Sequence, residues 1–254
     1  MSALAISIVI AIFAFAAGIL GLYLQKWLPE RHTTDRSRDM ITSMVALISL
    51  VLALVLGTLV SSSFSEFSTQ ESELQTLATN ALELDMALAQ YGPDGKGARG
   101  VLRDTLVGTH ELFWGRGADN SMGFDVAEAL PGIKAMNDAL DTLDPKTPMQ
   151  KALFSTAIGY QKAIEATRLK MSLQLAAAVA TPLLLIIGFW SVLLFLGYGL
   201  LSRVNAMTVA VLGFGALSVA GAIFLIVELH RPYSGLIHVP PAALREAIKT
   251  IEKD

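Results

Sequence analysis

Residues 40–91 constrain this chain most, because an uncharged apolar run passes there, without a Gly-Pro break, into a heptad-patterned amphipathic segment. Residues 40–60 carry no charge, and about 20 such residues are what an α-helix needs to cross a hydrocarbon core. Beyond them Phe67, Leu74, Leu77, Ala81, Leu84, Leu88 and Tyr91 recur at three- and four-residue steps, with Gln70 at the one polar seam position. Such a stripe packs against other helices. At ~1.5 Å per residue the whole helix would run roughly 75 to 80 Å, so a membrane span and a water-exposed rod share one element.

With 53% hydrophobic and only 16% charged residues, the chain reads as an integral membrane protein. The formal net charge of −3 gives no basic footprint for nucleic acid. The absence of cysteine removes disulfides, thiolate metal sites and Cys nucleophiles.

Residues 2–24 form a first uncharged run with no basic segment before it, and this is expected to be a retained span, not a signal peptide. Ala11, Ala14, Gly18 and Gly21 recur there at helical spacing, leaving a smooth face for close helix contact. Residues 26–39 form a short charged loop in which Pro29 stops the first helix. In the second span Thr42, Ala46, Ser49, Ala53, Gly57 and Ser61 again make a narrow small-residue stripe. Two readings stand for it: close helix packing, or the lining of a narrow, weakly polar conduit around a symmetry axis.

Tyr91-Gly92-Pro93-Asp94-Gly95-Lys96-Gly97 is dense in turn formers, so the chain reverses. Leu102, Leu106, Thr109 and Phe113 predict one amphipathic helix, residues 115–123 a polar loop, and Leu130, Ile133, Met136, Leu140 and Leu143 another helix with Pro131 in its first turn. Leu153, Ala157, Tyr160, Ile164, Thr167, Met171 and Leu175 predict a second rod that runs into the apolar residues 181–201, with a kink expected at Pro182. Arg203 marks a tight turn before a fourth span, residues 206–227, which carries a small face of Ala210, Gly213, Ala216 and Ala220. Leu244, Ile248 and Ile251 give a short amphipathic tail helix that docks on the bundle or on lipid.

The predicted fold is all-α. Spans 1 and 2 lie in residues 1–60, a membrane-proximal helical bundle in residues 61–180, spans 3 and 4 in residues 181–227, and a C-terminal amphipathic tail in residues 228–254. Glu228 is the one acidic residue that directly ends a span, and with His230 and Arg231 it forms a membrane-edge candidate site. The plain alternative is an interfacial carboxylate paired with Arg231. Glu228, His230 and His238 have irregular spacing for a metal site, so no metal is expected. His110 reads as a surface residue, and Arg99 with Arg103, one turn apart, as a solvated helix face, with an anion or lipid-headgroup site as the alternative. No nucleophile elbow, Walker loop, dinucleotide fingerprint or His-Glu-x-x-His pattern occurs. No catalytic residue, enzyme activity or cofactor is expected.

Several stretches together resemble the bestrophin-like family of bacterial and plant membrane proteins. They are Leu28-Pro29-Glu30 with His32, residues 70–74, Leu84-Asp85 with Tyr91-Gly92-Pro93, and Glu228-Leu229 with Pro232-Tyr233 and Gly235. One departure is His230, where the family tends to carry Asp. The resemblance implies a multi-pass cell-membrane protein with its middle domain in the cytoplasm, and a homo-oligomer in the lipid bilayer that passes small ions, anions by analogy with the pentameric true bestrophins. The acidic calcium clasp of animal bestrophins is not found, so calcium gating is not implied. The alternative is a membrane-anchored helical interaction or sensing module without transport. Basic residues near the span ends do not decide the orientation.

Overall fold

An apolar segment in lipid must satisfy its backbone hydrogen bonds within itself, and each uncharged run of this chain is helical. The computed structural model describes residues 2–27, 35–115, 130–176 and 181–253. They contain helices α1 (Ala3–Trp27), α2 (Asp35–Tyr91), α3 (Lys96–His110), α4 (Leu130–Asp141), α5 (Pro148–Ala176), α6 (Thr181–Leu201), α7 (Ala206–Leu229) and α8 (Ala242–Lys253). Helices α1, α2, α6 and α7 are long and apolar enough to cross a membrane. The Leu28-Pro29-Glu30 stretch with His32, residues 116–123 of the polar loop, and the junction where the second rod meets the third span lie outside the described residues.

The chain divides into two compact units, Met1–Ser65 with Val179–His230, and Glu66–Ala178 with Arg231–Asp254. In the first unit α1 packs against α6 and α7. The contact with α6 is backbone on backbone. A Cβ on Gly21 would strike the Leu196 carbonyl oxygen and come within 3.0 Å of Gly199 Cα, while one on Gly199 would strike the Gly18 oxygen and lie 2.9 Å from Leu22 N. The small face read on α1 is therefore a packing face, with Ala14, Gly18 and Gly21 buried. On α7 only half of the small face is used: Ala216 and Ala220 are buried, Ala210 is exposed. Asn205 starts α7 by accepting the Thr208 N–H at 2.6 Å, an N-cap that follows the tight turn.

The second unit has a conventional helical core. The α2 seam is buried at Leu74, Leu77, Ala81, Leu84, Leu88 and Tyr91, and it meets Leu102 and Leu106 of α3, Met136 and Leu140 of α4, and Ala157, Ile164 and Met171 of α5. Gly92 turns the chain at φ 110° into a 3₁₀ turn, Pro93–Gly95, a backbone region essentially open to glycine alone. Helix α3 ends at His110, one turn before the sequence pattern does, and a π-turn over Glu111–Gly115 still buries Phe113. The tail helix docks on the bundle: α8 lies against α3, with Leu244 and Ile251 in the core.

Candidate functional site

Helix α2 is the least buried of the four long apolar helices. Within its apolar stretch 11% of residues are buried, against 28% in α1, 33% in α6 and 28% in α7. Its inward side is Val45 and Leu52, and Val45 fits against the bare backbone of Gly197 on α6. The small-residue stripe points elsewhere. Thr42, Ala46, Ala53, Gly57 and Ser61 are exposed, and a Cβ added to Gly57 would meet nothing within 4 Å. Thr42 Oγ1 donates to the Arg38 carbonyl at 2.9 Å, so this hydroxyl is satisfied by its own helix.

Ser49 alone turns towards a neighbour. Its Oγ donates to the Val45 carbonyl at 2.8 Å, which leaves the oxygen to accept from Tyr198 Oη, 3.1 Å away on α6. Beside this pair a cavity of about 550 Å³ opens between α2, α6 and α7, lined by Leu52, Ala53, Phe195, Asn205, Thr208 and Val211 among others. Arg38 Nη2 donates to the Leu201 carbonyl at 3.1 Å, fastening the start of α2 to the end of α6.

The membrane-edge residues fall in both units. Glu228, 4% exposed, closes α7 in the first unit. His230 caps that helix and directs Nδ1 at the Ile226 carbonyl, 2.7 Å away, so Nδ1 carries the proton. Arg231 opens the C-terminal segment of the second unit. Among the described residues no three His, Asp or Glu side chains gather as a metal site would require.

The second unit holds polar contacts that no periodicity reveals. Arg99 grips Asp85 through two hydrogen bonds of 2.7 and 2.9 Å, and Arg103 pairs with Glu252 of α8, so the expected solvated face is a pair of ion pairs. Gln70 donates to Gln174 Oε1 at 2.6 Å and accepts from Tyr233 Oη at 3.0 Å. Burial, reinforced by Glu73, pushes the Tyr233 phenol above its ordinary value. Phe113 stacks on Tyr233 at 4.4 Å, and Trp114 Nε1 donates to the Val239 carbonyl at 3.1 Å. His110 is half-buried, stacked on Trp114 at 5.4 Å, and its Nε2 accepts from Arg245 Nε at 3.1 Å. It is an anchor for α8, not a free surface residue.

The family model described as a bestrophin-like domain matches residues 11–244. The chain belongs to the bestrophin-like family. Its fold agrees with solved structures. A bacterial bestrophin homologue from Klebsiella pneumoniae, crystallised as a point mutant, is similar at 14% identity and TM-score 0.72, with 97% of this chain and 96% of the other covered. Another point mutant from the same organism gives 14% identity, TM-score 0.71 and the same coverage. A structure described as a mutant membrane protein gives 15% identity, TM-score 0.71 and again 97% and 96% coverage. At such identity these likenesses establish the fold alone, an all-α membrane architecture. No curated protein matches this bestrophin-like chain by sequence.

Proposed function

We propose that copies of this bestrophin-like chain assemble in a cell membrane into a channel for small ions, with the α2 stripe of Thr42, Ala46, Ser49, Ala53, Gly57 and Ser61 along the conduction path. The observation that carries the reading is the exposure of that stripe, at every position but Ser49, in a helix otherwise apolar, with open space beside Gly57. A face of small and hydroxyl-bearing residues is poorly suited to holding lipid tails. Around a symmetry axis it makes a narrow conduit of weak polarity. Family likeness supports anions as the cargo and a cytoplasmic middle domain. Glu228, His230 and Arg231 are assigned to the membrane edge of the path.

Purified protein in chloride-loaded liposomes is expected to pass current above that of empty vesicles. Ser49→Phe and Gly57→Phe are each expected to block it while leaving the helical circular dichroism unchanged. Because the chain has no cysteine, single cysteines at exposed positions such as Ser155 can report orientation by labelling from either side. No flux under either polarity would retire the channel and leave the second reading, an interaction or sensing module. That reading is favoured by the continuity of α2 over 57 residues, shared between both units.

A further inference from the structure

The cavity between α2, α6 and α7 changes character along its length. Ser202, Asn205 and Thr208 line it at the α6–α7 turn, whereas Leu56, Leu194 and Val219 line its other end. From Thr208 to Val219 it follows α7 for about 16 Å at the helical rise. Leu52, Phe195 and Leu212, each 5% exposed or less, close one wall, and Val211, 60% exposed, leaves the other side open to the membrane. The Ser49 and Tyr198 hydroxyls bond to each other part-way along, so they do not interrupt the apolar lining. A volume of about 550 Å³, mostly apolar and with a few placed polar groups, is that of a small-molecule site. A second helix, ~10 Å across with its side chains, would need roughly 1,200 Å³ over the same length. A single extended chain fits and a helix does not.

The polar end selects the head of such a chain. Asn205 spends its side-chain oxygen on the Thr208 N–H, which leaves its amide nitrogen as a donor beside the Ser202 and Thr208 hydroxyls. Arg38 is fastened at the same end by the Leu201 carbonyl, and Arg203 lies exposed in the turn. With Arg36 they outnumber Asp39 among the described side chains there, so the end is positive. It also coincides with the ends of the apolar helices, the level at which polar heads lie in a bilayer.

We propose that this cavity binds one long-chain fatty acid from the membrane, its carboxylate at Ser202, Asn205 and Thr208 and its alkyl chain running towards Leu194 and Val219. The donors and the positive charge at the turn recognise the head, and the apolar length takes the tail. The site goes beyond the conduction reading. Ser49 and Ala53 border both, yet binding of the acid does not require that the chain conduct.

The test is photolabelling of the full chain in phosphatidylcholine nanodiscs with palmitic acid carrying a terminal diazirine, followed by peptide mapping. Labelling is expected to saturate, to fall around Leu194 and Val219, and to be competed by unlabelled palmitate but not by added phosphatidylcholine. Val211→Trp, which fills the cavity, should lower the competed labelling by at least about tenfold. Gly215→Leu, at a second lining position, serves where Val211→Trp does not fold. Leu217→Trp, at an exposed residue of α7 outside the lining, should label as the wild type does. Asn205→Asp keeps an N-cap and sets a like charge against the head, so palmitate should bind at least about fivefold more weakly while hexadecanol competes as before. Labelling that palmitate does not compete, competition by phosphatidylcholine, equal labelling in the filled variants, or cross-links joining two chains at the cavity would each overturn the proposal. Because the readout is labelling and not flux, failure of this site is separable from failure of the channel.

Discussion

The two units of this protein are held together by opposite means. In the first, α1 and α6 meet where both lack side chains, and the stabilisation is van der Waals contact between Gly18, Gly21 and Gly199 over a short distance. In the second, side chains fill the core and directed bonds pin its rim: Asp85 to Arg99, Gln70 to Gln174 and Tyr233, Lys170 to Glu73. The division follows from solvent. Lipid offers no hydrophobic drive for helices to associate, so close approach has to supply it. Water does offer that drive, and polar groups at the rim then set register.

The comparison breaks first, and most severely, at the glycine contact. Gly199→Ala places a methyl group against Gly18 O, Leu22 N and Gly21 Cα, all backbone atoms that cannot swing aside. Forcing the helices apart is expected to cost about 3 kcal/mol or more, read as a lower denaturation midpoint in detergent titration. The same change at Gly100 of α3, where an added Cβ meets nothing within 4 Å, should stabilise by roughly 0.5–1 kcal/mol through helix propensity. Equal effects at both sites would remove the distinction between the units.

Next in size is the ion pair. Asp85 and Arg99 have side chains only 7% and 15% exposed, so Asp85→Ala should cost about 2–3 kcal/mol, chiefly by leaving the guanidinium short of its acceptor in a poorly hydrated place. Glu252→Ala, opposite an Arg103 that is 47% exposed, should cost about 0.5 kcal/mol or less. Chemical denaturation with urea, which leaves charge pairing unscreened, ranks the two.

What the sequence made legible was whatever repeats. Four apolar runs announce four long helices, and the 3–4 spacing from Leu74 to Tyr91 announces the buried seam. Pairing across distance leaves no such trace: Gln70 meets Gln174 and Tyr233 from 104 and 163 positions away, and nothing local distinguishes it from a seam interruption. His110 read as surface because Trp114 reaches it only through the irregular π-turn and Arg245 on α8 only once the tail docks. Small-residue stripes show a subtler limit. Gly21 on α1 is buried against the α6 backbone and Gly18 against Leu212 of α7, whereas Gly57 on α2 faces open space. The same spacing produced both, because a stripe specifies how near a neighbour can come and not whether this chain provides one.

A smaller effect concerns the rim alone. Burial, then the charge of Arg245, hold His110 below its ordinary value, with Glu111 opposing. Its folded-state value is thus below the unfolded 6.5, and the unfolded chain takes the proton first. The stability contribution is complete above pH 6.5 and is lost as pH falls from there towards the folded value. Protonation also ends acceptance from Arg245. In a variant carrying Trp27→Phe and Trp190→Phe, Trp114 emission should change below pH 6.5, and His110→Gln should abolish the change. A profile unaltered by that substitution would assign the transition elsewhere.

The smallest expected effect asks whether polar bonds in the second unit stabilise it at all. Two buried tyrosines differ in one respect. Tyr233 Oη donates to Gln70 at 3.0 Å, while Tyr91 Oη, in the seam, has no hydrogen-bond partner among the described residues. Burial and the nearby Asp94 and Asp144 raise the Tyr91 phenol, so it remains a neutral hydroxyl. Tyr233→Phe should cost about 1 kcal/mol, and it strands one acceptor of Gln70. Tyr91→Phe removes a hydroxyl that gains nothing from a partner, so stability should hold or rise. The two substitutions delete the same atom from similar surroundings, and a calorimetric scan of both measures what the partner contributes. Matching losses would mean that the ring's packing, disturbed by either change, outweighs the hydrogen bond, and the second unit would then be held as the first is, by contact alone.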